Sequence, residues 1–200
     1  MQTASTVPVL PPKKAKLVPD YLIYETIEGI PLYYAGYTEV LKNQKTLEDI
    51  MGYGSLQWVL LTLIADTLRP LITEQYRILQ GEGGLHLSGR SNLSLDLAIY
   101  EQRQLSFEKL QNRYFDIPPK VIIEVDTKAH LPEFKVPNYY QRKTQLLLDF
   151  GVEQVVWVFT EPRKITTARN EGPWLTVNWH DDIEVMGQPL NLQAMVDKLG

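Results

Sequence analysis

The chain contains no cysteine and only three histidines in its 200 residues. Without thiols there is no disulfide framework, no thiolate zinc site and no cysteine nucleophile. The composition suits a reducing compartment, and the expected location is the cytoplasm. His86, His130 and His180 lie far apart, with no H-x-x-H or H-E-x-x-H spacing, so a histidine zinc site is not expected. His130, six residues past Glu124, could line a site there, although a surface loop histidine is the commoner reading. Long apolar runs are missing as well. The most apolar stretch, Trp58 to Ala65 (WVLLTLIA), is eight residues with a threonine inside, against the roughly 20 that a spanning helix needs. Nor is there an excess of one charge: 20 basic and 24 acidic residues leave −4. That excludes a histone-like polycation, so contact with nucleic acid has to come from a local basic surface or a metal.

What is present is ordinary globular material, 44% apolar and 22% charged, enough for one domain. Residues 1–19 are rich in Pro and Lys, and their charges follow the apolar residues. They read as a flexible arm and not as a secretory signal, with a single domain expected over 20–200. Tyr21 to Ile27 and Ile30 to Tyr34 flank Glu28-Gly29 and predict two short strands about a turn. Thr46 and Asp49 form a capping-box pattern ahead of apolar positions Leu47, Ile50, Met51, Leu61, Ile64 and Leu68, predicting a helix that ends at Pro70, with Gly52 and Gly54 interrupting it early. Strands are predicted at Gln75–Leu79, Leu93–Tyr100, Val121–Val125 and Val155–Phe159. A helix is predicted over Asn138–Phe150, stopped by Gly151. The tail reads as one or two short strands and a closing helix from about Asn191. Gly81-Glu82-Gly83-Gly84 lacks the G-K-[ST] of a phosphate cradle and reads as a turn. Trp58 and Trp157 are expected in the core, and Trp174 and Trp179 as partly exposed packing or a dimer contact. These elements predict an α/β or α+β domain around a mixed sheet.

Two carboxylates stand out. Asp96 and Glu124 each interrupt an apolar strand run, where an unpaired buried charge is strongly unfavourable. Taken singly, each is most often an edge residue, solvated or paired to Arg or Lys. Placed together on neighbouring strands they repel unless something neutralises them, and a divalent cation with hard oxygen ligands does so. Strand alternation would keep Glu124, Asp126 and Lys128 on one face.

The ordered set of motifs resembles the bacterial Uma-two family of restriction-endonuclease-like proteins, in the PD-(D/E)XK nuclease superfamily. Tyr24-Glu25-Thr26-Ile27-Glu28-Gly29 is similar to the family's opening hairpin, and Ser94-Leu95-Asp96-Leu97-Ala98-Ile99 to its P-D strand. Pro119 to Val125 (PKVIIEV) is similar to its P-x-hydrophobic-x-x-E-V strand. Lys143, eight residues before Gly151-Val152, is similar to the helix lysine before its A-G-V turn. The resemblance implies a restriction-endonuclease-like core, a mixed twisted sheet flanked by helices. It implies Asp96 and Glu124 as ligands of Mg²⁺ or Mn²⁺, completed by the Val125 carbonyl. Lys143 would assist the attacking water, with Lys128 its rival, and Glu25 would add a further carboxylate. The superfamily lysine two residues after the Glu is Asp126 here. The motif proline is Leu95, a family Asp is Tyr139, and the family's first-helix His has no clear counterpart near Ser55 or Gln57.

Residues 120–169 carry eight basic against six acidic residues, so this segment is +2 while the remainder is −6. That permits a phosphodiester substrate without identifying one. The expected activity is metal-dependent hydrolysis of nucleic acid, with DNA the expected substrate and a homodimer the expected assembly. A non-catalytic binding or assembly protein with a degenerate site is the rival from another class. Hydrolysis of a small phosphorylated substrate is the second rival.

Overall fold

A two-residue turn sets the first hairpin of the computed structural model, which describes residues 18–126, 129–131 and 136–200. Strands β1 (Ile23–Ile27) and β2 (Ile30–Tyr33) pair antiparallel with Ile27 opposite Ile30. Glu28 and Gly29 between them both take positive φ, 53° and 86°, as the tight hairpin turns that match strand twist require. Almost all of the expected N-terminal arm, residues 1–17, lies outside the described residues.

The single helix predicted from Thr46 to Pro70 is two. Asp49 Oδ2 accepts from the Thr46 amide at 2.7 Å and Thr46 Oγ1 accepts from the Asp49 amide at 3.4 Å, so the capping box forms. The helix it caps, however, stops at Gly52, whose backbone is extended. Glycine is the weakest helix former after proline, and the chain breaks there. In chain order the helices are α1 (Tyr37–Leu41), which sequence reasoning did not anticipate, α2 (Glu48–Met51) and α3 (Ser55–Leu68).

Strands β3 (Tyr76–Ser88) and β4 (Ser91–Glu101) form a long antiparallel ribbon. The glycine cluster expected to be a turn lies inside β3. Its register jumps from Gln80 opposite Leu97 to Gly83 opposite Leu95, a one-residue bulge. A Cβ on Gly84 would lie 2.2 Å from the Tyr114 ring, so here glycine makes room for an aromatic side chain and does not bend the chain back.

Next come β5 (Val121–Val125), α4 (Val136–Phe150) and β6 (Gln154–Phe159), with β5 and β6 parallel and α4 connecting them. Gly151, at φ 111°, donates to Leu148 O, and Val152 donates to Leu147 O; this pair of bonds closes the helix as anticipated. Strands β7 (Lys164–Arg169) and β8 (Leu175–Asn178) extend the sheet, and β9 (Ile183–Val185) and β10 (Gln188–Leu190) form a separate hairpin. Helix α5 (Leu192–Val196) is capped by the Asn191 side chain accepting from Ala194 N at 2.9 Å.

Among the described residues the main sheet has eight strands in the order β2-β1-β4-β5-β6-β7-β8, with β3 also on β4. All its pairs but β5–β6 are antiparallel. The class is α+β, a mixed sheet flanked by helices. One face packs Tyr139 and Leu147 of α4 against Ile122, Val155 and Trp157. The other packs Leu60, Leu61, Ile64 and Leu68 of α3 and Leu192 and Met195 of α5 against Ile123, Val125 and Val158.

Two tryptophans fall on the wrong side of expectation. Trp58 is 63% exposed, because Gln57, four residues before Leu61, takes the inward position on α3 and turns Trp58 out. Trp179 is buried and donates from Nε1 to Phe159 O at 3.1 Å, so it is packing and offers no surface for a dimer.

Trp157 of β6 is tied to α4 by a buried hydrogen bond from Nε1 to Thr144 Oγ1, 2.8 Å long. Thr144→Val keeps the shape and leaves the indole N–H unsatisfied, which costs about 1–3 kcal/mol. Urea unfolding should show that loss as a lower midpoint at unchanged slope.

Candidate active site

The β4–β5 ladder runs from Ile99 opposite Val121 to Leu97 opposite Ile123, and ends there. The next residue on each strand is a carboxylate, Asp96 and Glu124. Where the strands part, the Asp96 side chain does the work of a strand carbonyl: its Oδ2 accepts the Val125 amide at 2.8 Å. Gln57 Nε2, reaching in from α3, donates to the same Oδ2 and to Val125 O, both at 3.1 Å. Asp96 is 3% and Glu124 1% exposed.

The α4 side of the site is built on one ammonium. Lys143 is fully buried, and its Nζ lies 3.1 Å from Glu25 Oε2, 3.1 Å from Glu124 Oε1 and 2.8 Å from Ser94 O, to which it donates. Glu25 is held in turn by the Tyr139 hydroxyl, one helical turn before Lys143, and by the Ser94 amide at 3.3 Å. The Lys143–Glu124 contact is an ion pair without hydrogen-bond alignment. Glu124 Oε1 has no hydrogen-bond partner among the described residues.

Among the described residues charge does not balance here: Lys143 is the one ammonium beside Glu124 and Glu25, with Asp96 close enough to add its charge, in a place almost closed to water. Burial raises the Glu124 carboxyl, Lys143 only partly offsets this, and Asp96 and Glu25 push it further, to about 8. Burial acts on Lys143 in the opposite sense, towards the neutral amine, but Glu124 and Glu25 together outweigh it and hold the amine above its ordinary range. Lys143 is the fixed positive charge and Glu124 the group that takes up a proton when no other cation is present.

The remaining expected residues fall elsewhere. Strand β5 ends at Val125, and Asp126 takes φ 54°. Its carboxylate leaves the strand face and accepts from Thr160 N at 2.9 Å and Thr160 Oγ1 at 2.6 Å. Glu124 and Asp126 therefore do not share a strand face, and Lys128 lies outside the described residues. Lys143, expected to assist the attacking water, has no exposed surface and lies among three oxygens, beside Glu124. His130 packs against Tyr37, ring centroids 5.3 Å apart, and its amide bonds Tyr33 O. Gln57 was not singled out as functional, although a polar residue on the inward stripe of α3, four before Leu61, was the available signal.

Among the described residues no cluster of three His, Asp or Glu is placed to cage a metal. Two carboxylates and a backbone carbonyl remain. That set suits Mg²⁺ or Mn²⁺, which keep several waters and take few protein ligands, and it does not suit zinc. The surplus negative charge around Glu124 fits such a cation.

No protein-family model and no curated protein matches the chain. A solved structure does. The crystal structure of "a putative nuclease belonging to DUF820" from Anabaena variabilis ATCC 29413 superposes with a TM-score of 0.63 over 92% of this chain and 95% of that one, at 14% identity. At that identity the likeness shows the fold: a nuclease-like α+β fold, as the motif order led us to expect. Among the described residues, no helix is long and apolar enough to cross a membrane.

The raised Glu124 carboxyl fixes a pH dependence. Metal-free folded protein holds a proton on Glu124 up to about pH 8, and the unfolded chain releases it in the ordinary carboxylate range. The folded state thus binds the extra proton between those limits, and stability falls as pH rises through that window. Wild type should lose stability relative to Glu124→Gln between about pH 5 and pH 8. Chemical denaturation in chelator at several pH values measures the difference.

Proposed function

We propose that the chain is a metal-dependent nuclease that hydrolyses phosphodiester bonds in nucleic acid, with DNA as substrate. The observation that carries this reading is the pair Asp96 and Glu124, brought to the parting ends of two adjacent strands, with more buried negative charge than Lys143 balances. Mg²⁺ would be held by Asp96, Glu124 and the Val125 carbonyl, and when bound it supplies Lewis acidity and an activated water. Asp96 is pre-positioned by the Val125 amide. Glu124 is kept in place by Lys143, whose own position is set by Glu25 and Ser94 O. Lys143 acts through Glu124 as a positioning residue. The nuclease-like fold supports the substrate class.

Two observations favour a second reading, a non-catalytic binding or assembly protein. Lys143 has no exposed surface, and no lysine stands two residues after Glu124.

Calorimetric titration with Mn²⁺ or Mg²⁺ separates the two. The nuclease reading expects binding by the wild type and none by Glu124→Ala. It also expects metal-dependent nicking of plasmid DNA that falls at least about a hundredfold in that variant. Metal binding without cleavage of DNA or RNA would leave the second reading in possession.

A further inference from the structure

We infer that the Gln57 side chain occupies the cation's place in the resting site and is displaced when the metal enters. This rests on the metal-dependent reading above. One amide nitrogen lies 3.1 Å from both Asp96 Oδ2 and Val125 O, two of the groups that would hold a cation here. An N–H donor and a metal ion seek the same oxygen lone pairs, so the two compete for this pair. Gln57 is half-buried, whereas Asp96 and Glu124 are nearly closed to solvent, so Gln57 stands between them and water on the α3 side. It carries no charge, so it satisfies the oxygens without neutralising them.

Lys143 approaches from α4 and touches neither Asp96 nor Val125 in the contacts described. A Gln side chain has enough rotatable bonds to swing aside with α3 in place. Exchanging two amide donors for a cation costs the cation two ordinary hydrogen bonds, so removing the amide should tighten metal binding by about tenfold.

The test titrates Mn²⁺ into wild type, Gln57→Ala and Gln57→Glu, and follows the Gln57 side-chain NH₂ signal by NMR as Mg²⁺ is added to wild type. The inference expects Gln57→Ala to bind about tenfold more tightly than wild type. Gln57→Glu, with a third carboxylate on the same oxygens, should bind more tightly still. The Gln57 NH₂ signal should move towards that of a solvated amide as metal is added. Weaker binding by Gln57→Ala would overturn the inference, because Gln57 would then be holding the ligands in place. An unmoved NH₂ signal at saturating Mg²⁺ would overturn it as well. If wild type and Gln57→Ala both bind no metal, the metal-dependent reading itself fails. If wild type binds and Gln57→Ala binds no better, that reading stands and the displacement alone is wrong.

Discussion

A single buried ammonium organises the functional end of this molecule. Lys143 Nζ touches oxygens from β1, β4 and β5 while its backbone belongs to α4. Removing a lysine from water is expensive, and only close, well-arranged oxygens offset the cost. The structure supplies them from three strands at once, so the site residues and the packing of α4 on the sheet are mutually dependent. Tyr139, one turn earlier, secures Glu25, and Thr144, one residue later, secures Trp157. One turn of helix therefore fixes both the ion cluster and the aromatic layer beneath it.

On the other side of the sheet the arrangement is made of neutral donors. Asp96 stands at the point where the β4–β5 ladder fails, and takes the backbone amide that an unbroken ladder would have given to a carbonyl. A carboxylate there is partly structural, and a bulge on β3 lies opposite, between Gln80 and Gly83. Bulges re-aim side chains and end pairing locally.

The strands that carry the site were legible because their apolar runs are interrupted by a single acid each, and buried strands rarely tolerate that without a reason. The helix carrying Lys143 was legible from its periodicity and its closing Gly151. Other features were not. The end of β5 depends on the left-handed backbone at Asp126 and its bonds to Thr160, a tertiary contact 34 residues away that no local pattern announces. The glycine cluster in β3 has the composition of a turn, and only the approach of Tyr114 shows why glycine is needed within a strand. Trp58 was expected in the core for its apolar bulk, whereas the stripe through Leu61, Ile64 and Leu68 turns Gln57 inward and Trp58 out.

The position two residues past Glu124 illustrates why the lysine can stand on a helix. Once β5 has ended and Asp126 has turned towards Thr160, a lysine in that position would be carried off the strand face with it. A carboxylate responds to the distance and burial of a positive charge, and is indifferent to the element that presents it. Helix α4 is the next helix after β5 and packs across Ile122 and Trp157, so a lysine on its inward face arrives beside Glu124 whatever the backbone of Asp126 does. Placing the charge there also closes it off from water. On the nuclease reading proposed above, Lys143 would set the charge and position of Glu124, and contact with a substrate phosphate would fall to a metal or to residues nearer the surface.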